Sequence, residues 1–201
     1  MNLKSPVAIH YYPNLNLNFW AITKCASTTL RTYFRLFEEP GLTEKEIIDR
    51  WGLKAHASLD TNKYLADLDN LKGRSVAVIR HPIARFRSMF ADLLRKRFWR
   101  GKGAGLREDM SVSDLADYVT NTDDTDLDIH LKPQVCFLDS SQDIEFMRLE
   151  NLENDWLFDF PTPSYILHKT SSDFELPEIV SDKVCKRYKE DLFIWNERKM
   201  K

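Results

Sequence analysis

Two segments, about fifty residues apart, gather the side chains that hold phosphate-like anions. The first runs Phe19-Trp20-Ala21-Ile22-Thr23-Lys24-Cys25-Ala26-Ser27-Thr28-Thr29-Leu30. The second runs Val76-Ala77-Val78-Ile79-Arg80-His81-Pro82-Ile83-Ala84-Arg85-Phe86-Arg87-Ser88. Each reads as an apolar strand, a polar turn and an amphipathic helix. In the first, Lys24 and the hydroxyls of Ser27, Thr28 and Thr29 crowd the point where the helix begins. Unfilled backbone N–H groups and the positive end of the helix dipole make such a turn an anion site. Arg80 closes the second strand, and Ser88 follows about two helical turns later. Two anion sites on one sheet edge suit a ligand with phosphates at both ends of a nucleotide.

On these residues the chain resembles the sulfotransferases that use PAPS, 3′-phosphoadenosine 5′-phosphosulfate. It is most similar to their carbohydrate branch, with the chondroitin, dermatan and uronyl 2-O enzymes. Lys24 to Thr28 resembles the family's 5′-phosphosulfate loop, and Arg80 to Ser88 fits R-x-P-x-x-R-x-x-S at every fixed position. His130-Leu131-Lys132-Pro133-Gln134 resembles H-W-x-P-Q, with Leu131 in place of tryptophan. Met147-Arg148-Leu149-Glu150-Asn151-Leu152 resembles a late strand ending in R-x-E-x-L. His168-Lys169-Thr170-Ser171-Ser172 resembles a loop facing the donor, and Tyr188 to Phe193 the C-terminal helix. The likeness spans residues 18–195. It implies a P-loop-like, three-layer α/β fold whose central, mostly parallel sheet is flanked by helices. It also implies PAPS as co-substrate without a metal, and a hydroxyl-bearing acceptor, a carbohydrate in this branch. The donor-binding residues it points to are Lys24, Cys25, Ala26, Ser27, Thr28, Thr29, Arg80, Ser88 and Lys169.

Sulfuryl transfer leaves negative charge on the bridging oxygen, and a fixed ammonium such as Lys24 stabilises it as it develops. The ordinary alternative is an exposed surface lysine. Arg80 offers forked donors that fit a phosphate terminus, with Ser88 as its partner. Arg85 divides between phosphate and a structural carboxylate. Ser27 also suits an N-cap, which uses the same geometry as anion binding. The acceptor needs a general base. In the uronyl 2-O branch a catalytic histidine lies in the region of His56, 24 residues before Arg80, so the resemblance makes His56 the leading base. His130 is second, unless it merely orients a loop. Glu38, Glu39 and Asp60 stay open, because other branches use a carboxylate. His10 is expected in an N-terminal arm, and His81 is expected to point away from the cleft. Cys25 sits where a helix N-terminus lowers a thiol pKa, but the chemistry needs no cysteine nucleophile.

Several alternatives lose support. G-x-x-x-x-G-K-[ST] is absent, and no glycine precedes Gly41, which weakens a kinase reading. Gly101, Gly103 and Gly105 do not follow a strand, so they form no dinucleotide fingerprint. Asp124, Asp126 and Asp128 lack the Gly and Glu of a calcium loop. A kinase with an irregular phosphate loop and a non-catalytic PAPS-binding module remain the rivals.

The 201 residues fit one domain, 1–201, with residues 1–17 as an arm. The 43% hydrophobic content suits a globular core rather than disorder. No apolar run approaches the ~20 residues of a membrane span, and the start lacks a signal-peptide pattern. The expectation is a cytoplasmic enzyme, or a Golgi-luminal one if the chain is trimmed from a longer protein. Three cysteines make neither an even framework nor metal spacing. Residues 74–102 hold nine Arg/Lys against Asp92 alone, whereas 108–128 hold eight Asp/Glu and no Lys or Arg. The basic block suits a polyanionic donor. Nucleic acid is a poorer partner, because the net charge is −2 and no recognition motif is present.

Periodicity places strands at 18–22, 76–79 and 144–149. It places helices at 28–37, 61–71, 82–98, 111–119 and 180–197, with shorter ones after Thr43 and at 151–158. Alternating strands and helices imply a layered α/β sheet.

Overall fold

A computed structural model describes residues 8–39, 41–47, 49, 65–94, 105–107, 109–164 and 174–200. Four strands, β1 (Ala8–Tyr12), β2 (Leu17–Ala21), β3 (Arg74–Ile79) and β4 (Ile144–Arg148), lie side by side in that order. β1 is antiparallel to β2, while β2/β3 and β3/β4 are parallel, with Phe19 opposite Val76 and Val78 opposite Met147. β2 and β3 are buried almost throughout. Their continuous apolar runs follow from cover on both faces of a parallel sheet.

Seven helices flank the sheet among the described residues: α1 (Ser27–Glu38), α2 (Glu44–Ile47), α3 (Pro82–Leu94), α4 (Val112–Asn121), α5 (Leu152–Asp155), α6 (Glu178–Arg187) and α7 (Lys189–Glu197). The fold is the α/β architecture expected from sequence, a mostly parallel sheet between helices. The sheet core includes Leu30 and Phe34 of α1, and a second cluster joins Phe86 and Met89 of α3 to Leu115 of α4 and Val184 of α6. Both parallel connections bring the chain from a strand's C-terminal end straight into a helix. That geometry places the turns after β2 and β3 side by side, where open α/β sheets bind ligands.

Three local expectations change. Residues 8–12, expected in an arm, make the edge strand β1, because pairing with β2 buries Ile9 on one face and His10 and Tyr12 on the other. In place of a helix over 61–71, the described part holds a 3₁₀ turn, Leu68–Asn70, capped by Asp67. Gly73 directly precedes β3. It takes φ +78 with an ideal Cβ 2.2 Å from the Asn16 carbonyl oxygen, so only glycine fits that approach to β3. The expected closing helix is two, broken at Tyr188, whose buried hydroxyl donates to the Leu131 carbonyl at 2.7 Å. Capping boxes open two helices, Thr43/Glu46 before α2 and Ser111/Asp114 at α4.

Candidate active site

The turn after β2 is built from unusual backbone. Lys24 and Ala26 both take left-handed φ, 65° and 56°, a conformation that costs a residue with a Cβ about 1 kcal/mol or more. Ala26 is the N-cap of α1 and has no side-chain acceptor to offer. Ser27 is therefore the first helical residue rather than the expected cap. The first N–H groups of α1 stay available to an outside anion. Ser27 and Thr28 are half-buried at this terminus and Thr29 is buried.

The turn after β3 lies against it. Arg80 Nη1 donates to the Lys24 carbonyl at 3.2 Å, so the two expected anion sites share one crevice. Pro82 opens α3, where its missing N–H costs nothing. His81 accepts the Ile83 N–H through Nδ1 at 3.3 Å and packs edge-on against Trp195, ring centroids 4.8 Å apart. Burial, with help from Arg87 and against Glu150, lowers the His81 pKa and keeps that acceptor neutral.

On α3, Arg85, Ser88 and Asp92 fall on one face and are each under 5% exposed. Asp92 ion-pairs with Lys24. The Arg85 guanidinium binds the Thr23 carbonyl at 3.1 Å, the Lys132 carbonyl at 2.8 Å and the His130 carbonyl at 3.3 Å. It thus resolves as a structural strut, holding carbonyls instead of a phosphate or a carboxylate. Ser88 sits between these two anchors of the loop.

Gln134, at 0% exposure, ties the crevice together. Its amide accepts the Arg80 N–H at 2.8 Å, donates to the Arg80 carbonyl at 2.8 Å, and receives the Cys25 thiol at 3.1 Å. Beneath it, buried Asp191 of α7 accepts the N–H groups of Gln134 (2.9 Å) and Val135 (3.1 Å). Burial raises the Asp191 pKa, opposed by Arg85 and these N–H donors. The Cys25 thiol faces this network and not the crevice. Burial pushes it up to about 12, which overrides any lowering by the helix terminus and leaves it a neutral donor.

The crevice fits an anion on its own evidence. Arg80 Nε is buried without a hydrogen-bond partner, and Glu150 Oε1 is 3.8 Å away. Burial first, then Arg85 and Arg87, lower the Arg80 pKa against Cys25 and Glu150. A guanidinium so placed gains most from an anionic ligand. A pocket of about 280 Å³ opens beside the loop, lined by Ala26, Thr29, Glu150, Asn151 and Asn154 among others.

Nearby, His130 Nδ1 is 2.7 Å from Asp128 Oδ1, which also accepts the His130 N–H at 2.9 Å. This pairing makes Nδ1 the protonated nitrogen and Nε2 the basic one. His56, Asp60 and Lys169 lie outside the described residues. Of the remaining candidate bases, Glu38 Oε1 accepts the Asn14 N–H at 2.8 Å, and Glu39 follows it at the end of α1. Asp191 and Glu150 are the polar groups that sequence patterning missed as parts of the site. Only their places in the two resembling segments hinted at them.

Residues 9–162 match the Sulfotransferase family. The chain belongs to that family. Its members are enzymes that take the sulfuryl group from PAPS. No curated protein and no solved structure matches the chain. Among the described residues no group of His, Cys, Asp and Glu is arranged to hold a metal, and no helix is long and apolar enough to cross a membrane.

Proposed function

We propose that this sulfotransferase transfers the sulfuryl group to a carbohydrate hydroxyl. The observation that carries the donor half is the Arg80–Lys24 contact at 3.2 Å, which joins a cationic helix terminus to a second, under-partnered guanidinium. Spacing of this kind suits a nucleotide with a 5′-phosphosulfate and a 3′-phosphate. Lys24 and the first N–H groups of α1 receive the 5′ end, with Ser27, Thr28 and Thr29 around it. Arg80 and Ser88 take the 3′-phosphate, and Lys169 is a further donor-binding residue. The acceptor oxygen forms its bond to sulfur as the bond from sulfur to the bridging oxygen breaks. Lys24 stabilises the electron pair left on the phosphate, and His56 removes the acceptor proton. Protein cations thereby neutralise the leaving group without a metal.

The carbohydrate half rests on the His130–Gln134 and Arg148–Leu152 segments, which are similar to the carbohydrate branch. Labelled PAPS offered with chondroitin, dermatan and uronate oligosaccharides, tyrosine peptides and simple alcohols tests it. Label should enter an oligosaccharide. Transfer confined to peptides or alcohols would overturn the acceptor class, and magnesium-dependent ATP turnover in place of PAPS turnover would favour a kinase.

A further inference from the structure

Two guanidiniums near the start of α3 carry orphaned nitrogens. Arg80 Nε and Arg87 Nε are both buried without a hydrogen-bond partner. Arg87 lies on α3 directly before Ser88. Its guanidinium has five N–H donors, and the one seen engaged meets a neutral acceptor: Nη1 donates to the Phe174 carbonyl at 3.1 Å. Phe174 is itself seated on α3, its ring centroid 5.7 Å from that of Phe90. The head of Arg87 is thus held by a backbone group, and among the described residues no carboxylate pairs with it. The two arginines are near enough to feel each other, since Arg87 adds to burial in lowering the pKa of both Arg80 and His81. Arg85 acts on Arg80 in the same sense, but its donors are engaged with the carbonyls that make it a strut. Glu150 stands 3.8 Å from Arg80 Nε and already accepts from the His81 N–H and from Trp195 Nε1.

An unpaired buried N–H on a charged group is unfavourable, and like charges repel more strongly where water is scarce. An entering anion relieves both at once. A phosphate monoester brings nearly two negative charges at neutral pH and three acceptor oxygens, more than one guanidinium neutralises. On the reading that Arg80 and Ser88 hold the 3′-phosphate of the donor, we propose that Arg87 is a further binding residue for that phosphate and strengthens the preference for nucleotides phosphorylated at the 3′ position. Arg80 and Arg87 supply two cations to a group of nearly two charges, and the Ser88 hydroxyl adds a neutral contact. The Phe174 carbonyl fixes the Arg87 head beforehand, so little side-chain freedom is lost on binding. The pattern R-x-P-x-x-R-x-x-S leaves the position of Arg87 unspecified, so this cation belongs to the chain and not to the motif.

Adenosine 3′,5′-bisphosphate and adenosine 5′-monophosphate differ only in that phosphate, and each is titrated calorimetrically into the full chain. The unaltered protein should bind the bisphosphate more tightly. In Arg87→Gln the bisphosphate should weaken about ten-fold, the loss of a charge-assisted contact, while the monophosphate is nearly unaffected. The ratio of the two dissociation constants then falls by the same factor. Arg87→Met keeps the aliphatic stem and should give the same fall, which covers the case of an unfolded Gln variant. Arg87→Lys keeps the charge without the fork, and its ratio should lie between that of Arg87→Gln and that of the unaltered protein. If Arg87 only anchors the Phe174 backbone, both nucleotides shift together. An unchanged ratio in the folded variants would therefore overturn the role of Arg87 while leaving Arg80 and Ser88 in place. Equal affinity of the unaltered protein for the two nucleotides would instead overturn the 3′-phosphate reading itself.

Discussion

Lys24 and Arg80 are both cations of one crevice, and the proposed reaction gives them different stages. In that proposal Arg80 holds a phosphate that does not change during transfer, so its contact is uniform from ground state to transition state. Arg80→Ala should weaken adenosine 3′,5′-bisphosphate roughly 10–100-fold by calorimetry, the loss of a charge-assisted contact, with kcat at saturating donor changed less. Lys24 meets charge that grows only as the bond breaks. Lys24→Ala should therefore lower kcat by about 10²–10³-fold, more than it raises KM for PAPS. The reverse pattern would exchange their assignments. For the base, His56→Ala should keep bisphosphate affinity and lose roughly 10²–10⁴-fold in rate. His130→Gln should be milder, since Asp128 on the backbone N–H of residue 130 and Arg85 on its carbonyl hold that loop without the ring. A larger loss at His130 than at His56 would move the proton to the Asp128–His130 pair.

At the scale of elements, two features couple the site to the frame. Gln134 joins the turn after β2, the start of α3 and, through Asp191, α7. Gln134→Leu leaves the buried Arg80 N–H and carbonyl without partners, a cost of about 3 kcal/mol. Denaturant unfolding should register that loss, and donor affinity should fall with it. Unchanged stability would show that the network is dispensable. The edge strand β1 carries a different liability. His10 is 2% exposed, its Nε2 has no hydrogen-bond partner, and burial, then Arg31 and Arg35, lowers its pKa to about 3. The folded state refuses a proton that the unfolded chain accepts below about 6.5. This contribution to stability is therefore whole above that pH and is lost as pH falls toward 3, by at most about 1.4 kcal/mol per pH unit. His10→Phe should flatten the acid limb of stability against pH, and an identical limb in the variant would exclude His10 as its cause.

For the whole molecule, the two turns meet only because β2 and β3 are parallel neighbours, so a ligand that spans them should brace the sheet. Adenosine 3′,5′-bisphosphate at a hundred times its dissociation constant should stabilise the native state by about 2.7 kcal/mol, seen as a rise in Tm. ATP, lacking the 3′-phosphate for Arg80 and Ser88, should shift Tm far less. Equal shifts would remove the claim of 3′-phosphate selectivity. Acidic residues described within 108–128 have structural partners. Asp114 completes the capping box of α4 by accepting the Ser111 N–H, Asp124 pairs with Arg187, and Asp128 holds His130, so those charges serve the helical layer behind the crevice.

The sequence by itself determined the parts whose signals are local. Strand runs such as Val76–Ile79, the proline that opens α3, and the Lys24 and Arg80 turns all declare themselves within a few residues. Hydrophobic period and turn chemistry act over that range. Tertiary structure decided what depends on partners far along the chain. The inward turn of Cys25 answers to Gln134, the strut role of Arg85 to carbonyls at 23, 130 and 132, and the state of Lys24 to Asp92. The edge strand β1 likewise took shape only through pairing with β2. A side chain's charge is written in its identity. Whether that charge faces a ligand, a carbonyl or another charge is settled by burial, because removing water makes one neighbour outweigh every local preference.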